Sequence, residues 1–313
     1  MQLTSISPMQ LLSDSVLVPQ DIELNVLRLD QFAEPVSGNK YFKLKYNIEF
    51  AKANGYQQLL SFGGAFSNHI HALAMAGQVY GIKTIGLIRG EPGPQQSATL
   101  QDAATAGMEL HYLSRERYKL RHDPVFLAEL KTLYPDAFII PEGGSNDLGV
   151  KGCIEIVDHI RQHLNNDFDI VCLPCGTAAT LAGVAAGLNA SQQVLGFSVL
   201  KNAHYLDTEV KRYLAHLALN NKSQNWQILH QYHCGGYAKA STELAVFIEQ
   251  FEHRFNIPLE PIYSGKMFFG LHQLLLASSP VIPRGSRVVA IHTGGLQGLR
   301  GMQSTLQRLR SNR

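Results

Sequence analysis

The sequence is poor in cysteine and has no long apolar run. Only four of its 313 residues are cysteines, too few for the disulfide framework of a small secreted protein. No apolar stretch approaches the ~18 residues that a membrane-spanning helix needs. We therefore expect neither a disulfide-stabilised scaffold nor a membrane partner.

The sequence also has no large excess of positive or of negative charge. The net charge is +2, and only the tail at 308–313 is locally basic. Such a tail is typical of a solvated helix end rather than a nucleic-acid-binding arm. Residues 1–7 lack the charged region and apolar core of a secretory signal. We expect a cytoplasmic protein that binds no nucleic acid.

Short apolar runs alternate with amphipathic stretches along most of the chain. We expect strands at 58–62, 84–88, 109–113, 137–140, 170–173, 194–200 and 287–291. We expect helices at 42–54, 68–79, 97–106, 124–132, 148–164, 177–188, 206–217, 240–255, 266–277 and 298–309. This alternation favours crossover connections between parallel strands. The sequence therefore predicts an α/β fold of mainly parallel, twisted sheets flanked by helices.

A polar, glycine-rich break at 142–147 suggests that the body has two parts. The region before the break has enough strands and helices for a small α/β unit. We expect a small domain at 46–147 and a discontinuous larger domain made of 1–45 and 148–313. A ligand would then bind in the cleft between them.

Two short motifs carry the residues best suited to chemistry. The run at 37–40 sets Lys40 after a flexible Gly-Asn turn and before a predicted helix. Burial of such a lysine lowers its pKa and frees a lone pair for imine formation. Ser67, Asn68 and His69 open another helix, whose free N–H groups suit a carboxylate. An imine-forming amine beside an anion site indicates amino-acid chemistry on pyridoxal phosphate.

A third segment could hold a phosphate. An apolar strand runs into Gly176, Thr177, Ala178, Ala179 and Thr180 at the start of a helix. Small residues let the backbone approach a phosphate, and a helix N-terminus favours negative charge. The segment is neither a Walker loop nor a full G-x-G-x-x-G. Alone it would be an ordinary strand–turn–helix junction, but beside the lysine motif the phosphate interpretation is favoured.

Metal or redox chemistry has weaker support. Cys172 and Cys175 form a single C-x-x-C, and Cys172 lies in a predicted strand, where cysteine is usually a small apolar residue. His69 and His71 would project from different faces of their helix. We expect no metal site, and a C-x-x-C redox or non-catalytic binding protein is the alternative from another class.

Several later residues allow more than one interpretation. Tyr237 and Tyr263 suit either packing or contact with a cofactor. Lys266, at the start of a predicted helix, is expected on the surface. Thr293 follows the last predicted strand, and ligands of open α/β sheets bind at the carboxyl ends of strands.

Together these motifs resemble the pyridoxal-phosphate enzymes of the 1-aminocyclopropane-1-carboxylate deaminase and D-cysteine desulfhydrase family. That family has the tryptophan-synthase-β-like fold (fold type II), and the motifs follow its order from Lys40 to Thr293. The resemblance implies a homodimer that acts on a small amino acid. It implies Lys40 as the Schiff-base lysine, a phosphate site at 176–180 and active-site roles for Ser67, Asn68, His69, Tyr237, Tyr263 and Thr293.

Two departures from the family's pattern bear on the substrate. By this resemblance, the deaminases of the family have a glutamate that pairs with the pyridine nitrogen of the cofactor. In this chain that position is Ser264. Thr293 stands where the desulfhydrases have threonine. A carboxylate makes the ring a strong electron sink, whereas a hydroxyl suffices to expel a good leaving group. We expect D-cysteine desulfhydrase activity, with 1-aminocyclopropane-1-carboxylate deaminase activity as the alternative.

Overall fold

The computed structural model describes residues 6–14, 19, 21–93, 95–218, 225–277 and 279–311. Residues 1–5, on which part of the targeting expectation rests, lie outside this range, as do Asn312 and Arg313 of the basic tail. Among the described residues, none of the helices is long and apolar enough to span a bilayer.

The larger of two sheets has six strands in the order β1-β2-β10-β7-β8-β9. β1 and β2 are antiparallel, and the other neighbours are parallel. All six residues of β7 are buried, as expected for a parallel strand covered on both faces. The strands are β1 Met9–Leu12, β2 Glu23–Arg28, β7 Ile170–Cys175, β8 Gln193–Ser198, β9 Trp226–Leu229 and β10 Arg287–His292.

The smaller sheet has four parallel strands in the order β5-β4-β3-β6. They are β3 Gln58–Gly63, β4 Lys83–Arg89, β5 Met108–Leu113 and β6 Ala137–Ile140. Five of the six residues of β3, in the middle of this sheet, are buried.

Eleven helices of the described residues cover the sheets. They are α1 Asn39–Ala53, α2 Asn68–Tyr80, α3 Ala98–Thr105, α4 Arg115–Lys119, α5 Pro124–Leu133, α6 Asp147–Leu164, α7 Ala178–Gly187, α8 Tyr205–His216, α9 Thr242–Phe255, α10 Ser264–Leu276 and α11 Gln303–Ser311. Short 3₁₀ turns form at Leu29–Gln31, Glu142–Gly144 and Leu296–Gly301.

Helix α1 connects the cores of the two sheets. Phe42, in its first turns, packs in the core of the larger sheet, whereas Leu44 and Ile48 pack in the core of the smaller one. A Cβ on Gly152 of α6 would lie 1.9 Å from the carbonyl oxygen of Phe42, so a glycine lets α1 and α6 approach closely. The first turn of α1 is thereby held where the two sheets meet.

The predicted fold class is confirmed, because both sheets are mainly parallel and helices flank them. Strands β1, β2 and β9 and helix α4 were not predicted, and the expected helix at 298–309 is a 3₁₀ turn followed by α11. The smaller sheet is built from residues within 58–140, and the larger one from strands on either side of it. The two domain boundaries stay a prediction.

Candidate active site

A cavity of about 1050 Å³ opens at the carboxyl ends of strands from both sheets. Parallel sheets bring residues that follow their strands to this edge, where ligands of α/β proteins bind. Ala179 is instead buried in the core of the larger sheet. The other residues expected at the site line the cavity, namely Lys40, Ser67, Asn68, His69, Gly176, Thr177, Ala178, Thr180, Tyr237, Tyr263 and Thr293.

Lys40 lies in the first turn of α1, because the helix begins at Asn39, earlier than predicted. Gly38, directly before α1, has φ +75°, and a Cβ on Gly38 would lie 2.2 Å from the carbonyl oxygen of Thr293. Only glycine fits this approach. Lys40 Nζ donates a hydrogen bond to Asn39 Oδ1 at 2.9 Å. Burial, and secondly the charge of Lys43, lower the pKa of Lys40 to about 7.

Lys43 is a second, fully buried cation of the cavity, which the sequence analysis did not assign to the site. It follows Lys40 by one helical turn and therefore lies on the same face of α1. Its Nζ donates to the carbonyl oxygen of Gly143 at 3.0 Å and to Thr177 Oγ1 at 2.9 Å. Burial lowers the pKa of Lys43. The i, i+3 spacing of the two lysines was the signal that could have identified it.

The junction between β7 and α7 forms an anion site. Thr177 precedes α7, and its side chain makes no capping hydrogen bond with any described residue, so backbone N–H groups of the first turn face the cavity. A Cβ on Gly176 would lie 2.8 Å from Tyr263 Cε1, so glycine lets the backbone pass the ring. Thr180 Oγ1 accepts a hydrogen bond from Asn39 Nδ2 at 3.0 Å, which ties α7 to α1.

The start of α2 forms the opposite wall. Ser67 Oγ accepts a hydrogen bond from the backbone N–H of Ile70 at 3.3 Å and caps the helix. Asn68 Oδ1 accepts a hydrogen bond from Gln297 Nε2 at 2.9 Å. Gln297, in the turn after β10, also lines the cavity and was missed in the sequence. Gln297 belongs to no sequence motif, and folding of the chain brings it to the site.

His69 is a cavity-lining residue with one unpaired ring nitrogen. Its Nε2 lies 2.8 Å from Ser61 Oγ, whose proton is donated to the carbonyl oxygen of Ile140 at 2.7 Å. Ser61 therefore accepts from His69, which leaves Nδ1 unprotonated, buried and without a hydrogen-bond partner among the described residues. Burial, followed by the charges of Lys40 and Lys43, lowers the pKa of His69 well below its usual value. His69 is thus neutral, and its Nδ1 lies buried near Gly144 in the cavity wall.

Tyr237 and Tyr263 form an edge-on pair, with ring centroids 6.1 Å apart and an interplanar angle of 73°. Tyr237 is 40% exposed, and Tyr263 is more buried. Burial, and secondly Tyr237, raise the pKa of Tyr263 well above 10. Both hydroxyls therefore stay protonated at neutral pH and can donate hydrogen bonds.

A buried carboxylate lies behind Ser264, and the sequence analysis missed it. The carboxylate of Glu260 accepts hydrogen bonds from the backbone N–H groups of Ile262 at 2.7 Å, Tyr263 at 2.9 Å and Ser264 at 2.6 Å. Ser264 Oγ also donates to Glu260 Oε1 at 3.1 Å. Ser264 is itself fully buried, and it is not among the residues that line the cavity, although its neighbour Tyr263 is.

The structure also corrects the prediction for Lys266. Its side chain is fully buried, not on the surface, and Nζ donates to the carbonyl oxygen of Gly236 at 2.6 Å. Burial lowers the pKa of Lys266 to about 8. This hydrogen bond fixes the loop just before Tyr237. The sequence pattern at the start of a helix cannot indicate a contact with a carbonyl group so far away in the chain.

The cysteines do not have the chemistry that a redox site needs. Cys172 and Cys175 are free and fully buried. Burial raises the pKa of both thiols, to about 12 for Cys175. A reactive cysteine needs a lowered pKa and access to solvent. These observations argue against the redox alternative.

The cavity residues fit a phosphorylated aldehyde. Lys40 offers an amine with a lowered pKa, and the start of α7 together with Lys43 offers N–H groups and a cation for a phosphate. These are the features of a site for pyridoxal phosphate.

The chain belongs to the family of pyridoxal-phosphate dependent enzymes, whose model matches residues 17–294. Within that family it is similar to 1-aminocyclopropane-1-carboxylate deaminases and D-cysteine desulfhydrases, as expected from its motifs. A bifunctional mitochondrial enzyme of Arabidopsis thaliana that carries both of these names is 29% identical over 299 residues, which cover 90% of this chain and 74% of that one. A putative 1-aminocyclopropane-1-carboxylate deaminase of Thermotoga maritima is 30% identical over 285 residues, covering 87% and 89%.

A D-cysteine desulfhydrase of Serratia proteamaculans is 26% identical over 298 residues, covering 88% of each chain. Among solved structures, an ACC deaminase homologue superposes with a TM-score of 0.82 at 24% identity, covering 97% of this chain and 94% of that one. A threonine deaminase isoform from Solanum lycopersicum superposes with a TM-score of 0.66 at 16% identity, covering 98% and 84%. These structures share the fold.

Proposed function

We propose that the protein is a lyase that releases ammonia from a small amino acid, and that its substrate is D-cysteine. The reaction consumes one D-cysteine and one water and yields pyruvate, hydrogen sulfide and ammonia. Its support is the Ser264 hydroxyl at the start of α10, where the deaminases that it resembles have a glutamate. A relative from Serratia proteamaculans carries the name of this activity.

Bound pyridoxal phosphate would supply an electron sink that lets the α-proton leave and the β-substituent depart. Lys40 would attach the cofactor and then move the α-proton. With a pKa of about 7, its amine is partly neutral near neutral pH, as a general base must be. Thr177 and Lys43 would bind the phosphate.

The start of α2 would bind the substrate carboxylate. Ser67 and Asn68 supply side-chain groups there, and the first N–H groups of the helix favour negative charge. The hydroxyls of Tyr237 and Tyr263 would orient the substrate or donate a proton to the departing sulfur. Their protonated state at neutral pH suits that role.

Ring opening of 1-aminocyclopropane-1-carboxylate is the second candidate. Glu260 favours it, because the buried carboxylate puts negative charge one hydrogen bond behind Ser264. That charge strengthens the hydroxyl as a hydrogen-bond acceptor for a protonated ring nitrogen. The homodimer and the cytoplasmic location expected from the sequence also stay proposals.

A substrate panel tests the assignment. The purified holoenzyme is given D-cysteine, L-cysteine, β-chloro-D-alanine or 1-aminocyclopropane-1-carboxylate, and sulfide, pyruvate and 2-oxobutanoate are measured separately. We expect the highest kcat/KM for D-cysteine, with equal amounts of sulfide and pyruvate. A higher value for 1-aminocyclopropane-1-carboxylate, with 2-oxobutanoate as product, would replace this proposal by the second candidate.

A further inference from the structure

Three potential metal ligands meet beside the cavity, outside the residues used above. His204 directly precedes α8, Asp207 lies in its first turn, and His230 follows β9. One donor atom of each lies within 4.8 Å of one donor atom of each of the other two. Because residues i and i+3 share a helix face, His204 and Asp207 point to the same side of α8. The fold brings His230 to that side.

The side chains are already arranged around a common point. His230 Nε2 lies 2.8 Å from Asp207 Oδ2, and the rings of His204 and His230 have centroids 4.2 Å apart with an interplanar angle of 40°. Two atoms that each lie about 2.1 Å from a tetrahedral zinc ion are about 3.4 Å apart. His204 is exposed, so its side chain has room to rotate toward the other two ligands.

Within the described part of the chain, no hydrogen-bond donor fixes the proton of His230 on Nε2. Its Nδ1 is buried and has no hydrogen-bond partner among the described residues. A donor to Nδ1 would lock the proton on Nε2 and prevent that nitrogen from binding a metal. Since none is present there, binding of an ion by Nε2 and Asp207 would place the ring proton on Nδ1. That proton has no acceptor among the described residues, which weakens the binding.

We propose that His204, Asp207 and His230 bind one divalent transition-metal ion, of which Zn²⁺ is the typical case. Two imidazoles and one carboxylate are the donors that zinc and its neighbours prefer, whereas Mg²⁺ and Ca²⁺ prefer oxygen. The site is separate from the cofactor site and does not depend on the reaction proposed above.

The ion would tie the start of α8 to the end of β9. Tyr205 and Leu206, between the two ligands, and Thr208, directly after Asp207, line the cavity. The metal would therefore hold one wall of the active-site cavity in place.

The chain offers a matched control at the other end of the same helix. His216 Nδ1 lies 3.1 Å from Asp147 Oδ1, an exposed histidine–carboxylate pair that is not part of any group of three ligands among the described residues. A histidine–carboxylate pair alone is not enough for tight metal binding. If the proposed site exists, substitution of His230 should weaken metal binding and substitution of His216 should not.

The test uses untagged holoenzyme that has been treated with EDTA and dialysed. Zn²⁺ binding is measured by calorimetry and Co²⁺ binding by visible absorption, for the wild type and for His204→Gln, His230→Gln and His216→Gln. Cys234→Ser controls for the partly exposed thiol. Retained cofactor absorbance checks the fold of each variant, and the exposed His204 provides a variant that leaves the core intact.

We expect one ion per chain, and a melting temperature that Zn²⁺ raises in the wild type. His204→Gln and His230→Gln should each weaken the affinity about tenfold or more, whereas His216→Gln and Cys234→Ser should leave it unchanged. No binding by the folded wild type, or equal binding by His204→Gln, would overturn the proposal. Loss of binding in Cys234→Ser would overturn it as well.

Discussion

The hydroxyl of Ser264 donates a hydrogen bond to the carboxylate of Glu260, with 3.1 Å between Oγ and Oε1, and both side chains are buried. A hydroxyl has one proton, so this bond leaves its oxygen able only to accept. The same oxygen accepts a hydrogen bond from the backbone N–H of Glu260 at 3.2 Å. A second hydrogen bond accepted from the pyridine nitrogen of a bound cofactor would favour the protonated ring. Glu260 would thus act on the cofactor through Ser264, as a positioning residue.

Glu260→Gln should lower kcat for D-cysteine by roughly tenfold with little change in KM, because it removes the charge behind Ser264 and keeps the shape. It should also destabilise the protein by about 1–3 kcal/mol, since the carboxylate satisfies three buried backbone N–H groups. Steady-state kinetics and urea unfolding measure the two effects. Glu91→Gln, in the exposed loop after β4, is the control and should change neither.

Ser264→Glu combined with Thr293→Leu should raise the rate of 1-aminocyclopropane-1-carboxylate opening relative to D-cysteine elimination. The direct carboxylate would make the ring a stronger electron sink. The ratio of 2-oxobutanoate formation to sulfide formation is the readout, and Ser264→Ala should lower it. An unchanged ratio in the double variant would mean that the ring-nitrogen partner does not select the substrate.

Cofactor uptake should depend on pH through Lys40. Its amine has a pKa of about 7, and only the neutral amine attacks an aldehyde. The rate at which the apoprotein binds pyridoxal phosphate, followed by absorbance, should therefore rise with pH and level off above about 7. Lys43 is the second cause of the lowered pKa, so Lys43→Met should move the midpoint to higher pH. A rate that is flat between pH 6 and 9 would contradict the assignment.

Lys266 should make stability depend on pH. Its pKa is about 8 in the folded chain and about 10.4 when unfolded. The unfolded state therefore binds more protons between these values, and the free energy of unfolding rises with pH across them. Below pH 8 Lys266 is charged in the folded chain, so burial of that charge lowers the free energy of unfolding by its full amount. Lys266→Met should remove part of this rise, roughly 1–3 kcal/mol.

Urea unfolding at several pH values between 7.5 and 10 measures the effect. The control is Lys52→Met, because Lys52 donates to the carbonyl oxygen of Tyr80 on the surface. A pH dependence in Lys266→Met equal to that of the wild type would show that Lys266 is not buried as a charge.

The fold could be predicted where strands are continuously apolar, as in β3, β7 and β10. Strand β2 was missed because its sequence mixes Asn25 and Arg28 with apolar residues. Arg28 is nevertheless buried, and its guanidinium binds the carboxylate of Asp30 through two hydrogen bonds of 2.9 Å and 2.7 Å. Burial of a charge through a bidentate partner cannot be recognised from apolar periodicity.

The candidate site could be predicted where its residues form local motifs after strands or at helix starts. Lys40, Thr177 and Ser67 belong to such motifs, and parallel topology brings them to one cavity. Gln297 belongs to no motif and meets Asn68 through a tertiary hydrogen bond. The hydrogen bonds of Glu260 are local, to residues 262–264, but a glutamate shortly before a helix is too common a pattern to indicate a site. The catalytic and binding roles of all these residues stay predictions.

The central claim is that Lys40 attaches the cofactor, and borohydride reduction of the holoenzyme tests it most directly. Reduction fixes pyridoxal phosphate to its lysine, and peptide mass spectrometry identifies the modified residue. Lys40→Arg keeps the charge but cannot form the bond, so it should lose the label and about 10³-fold or more of the activity without unfolding. The account predicts one label per chain, on Lys40. A label on Lys43 or Lys266 in the wild type would contradict it.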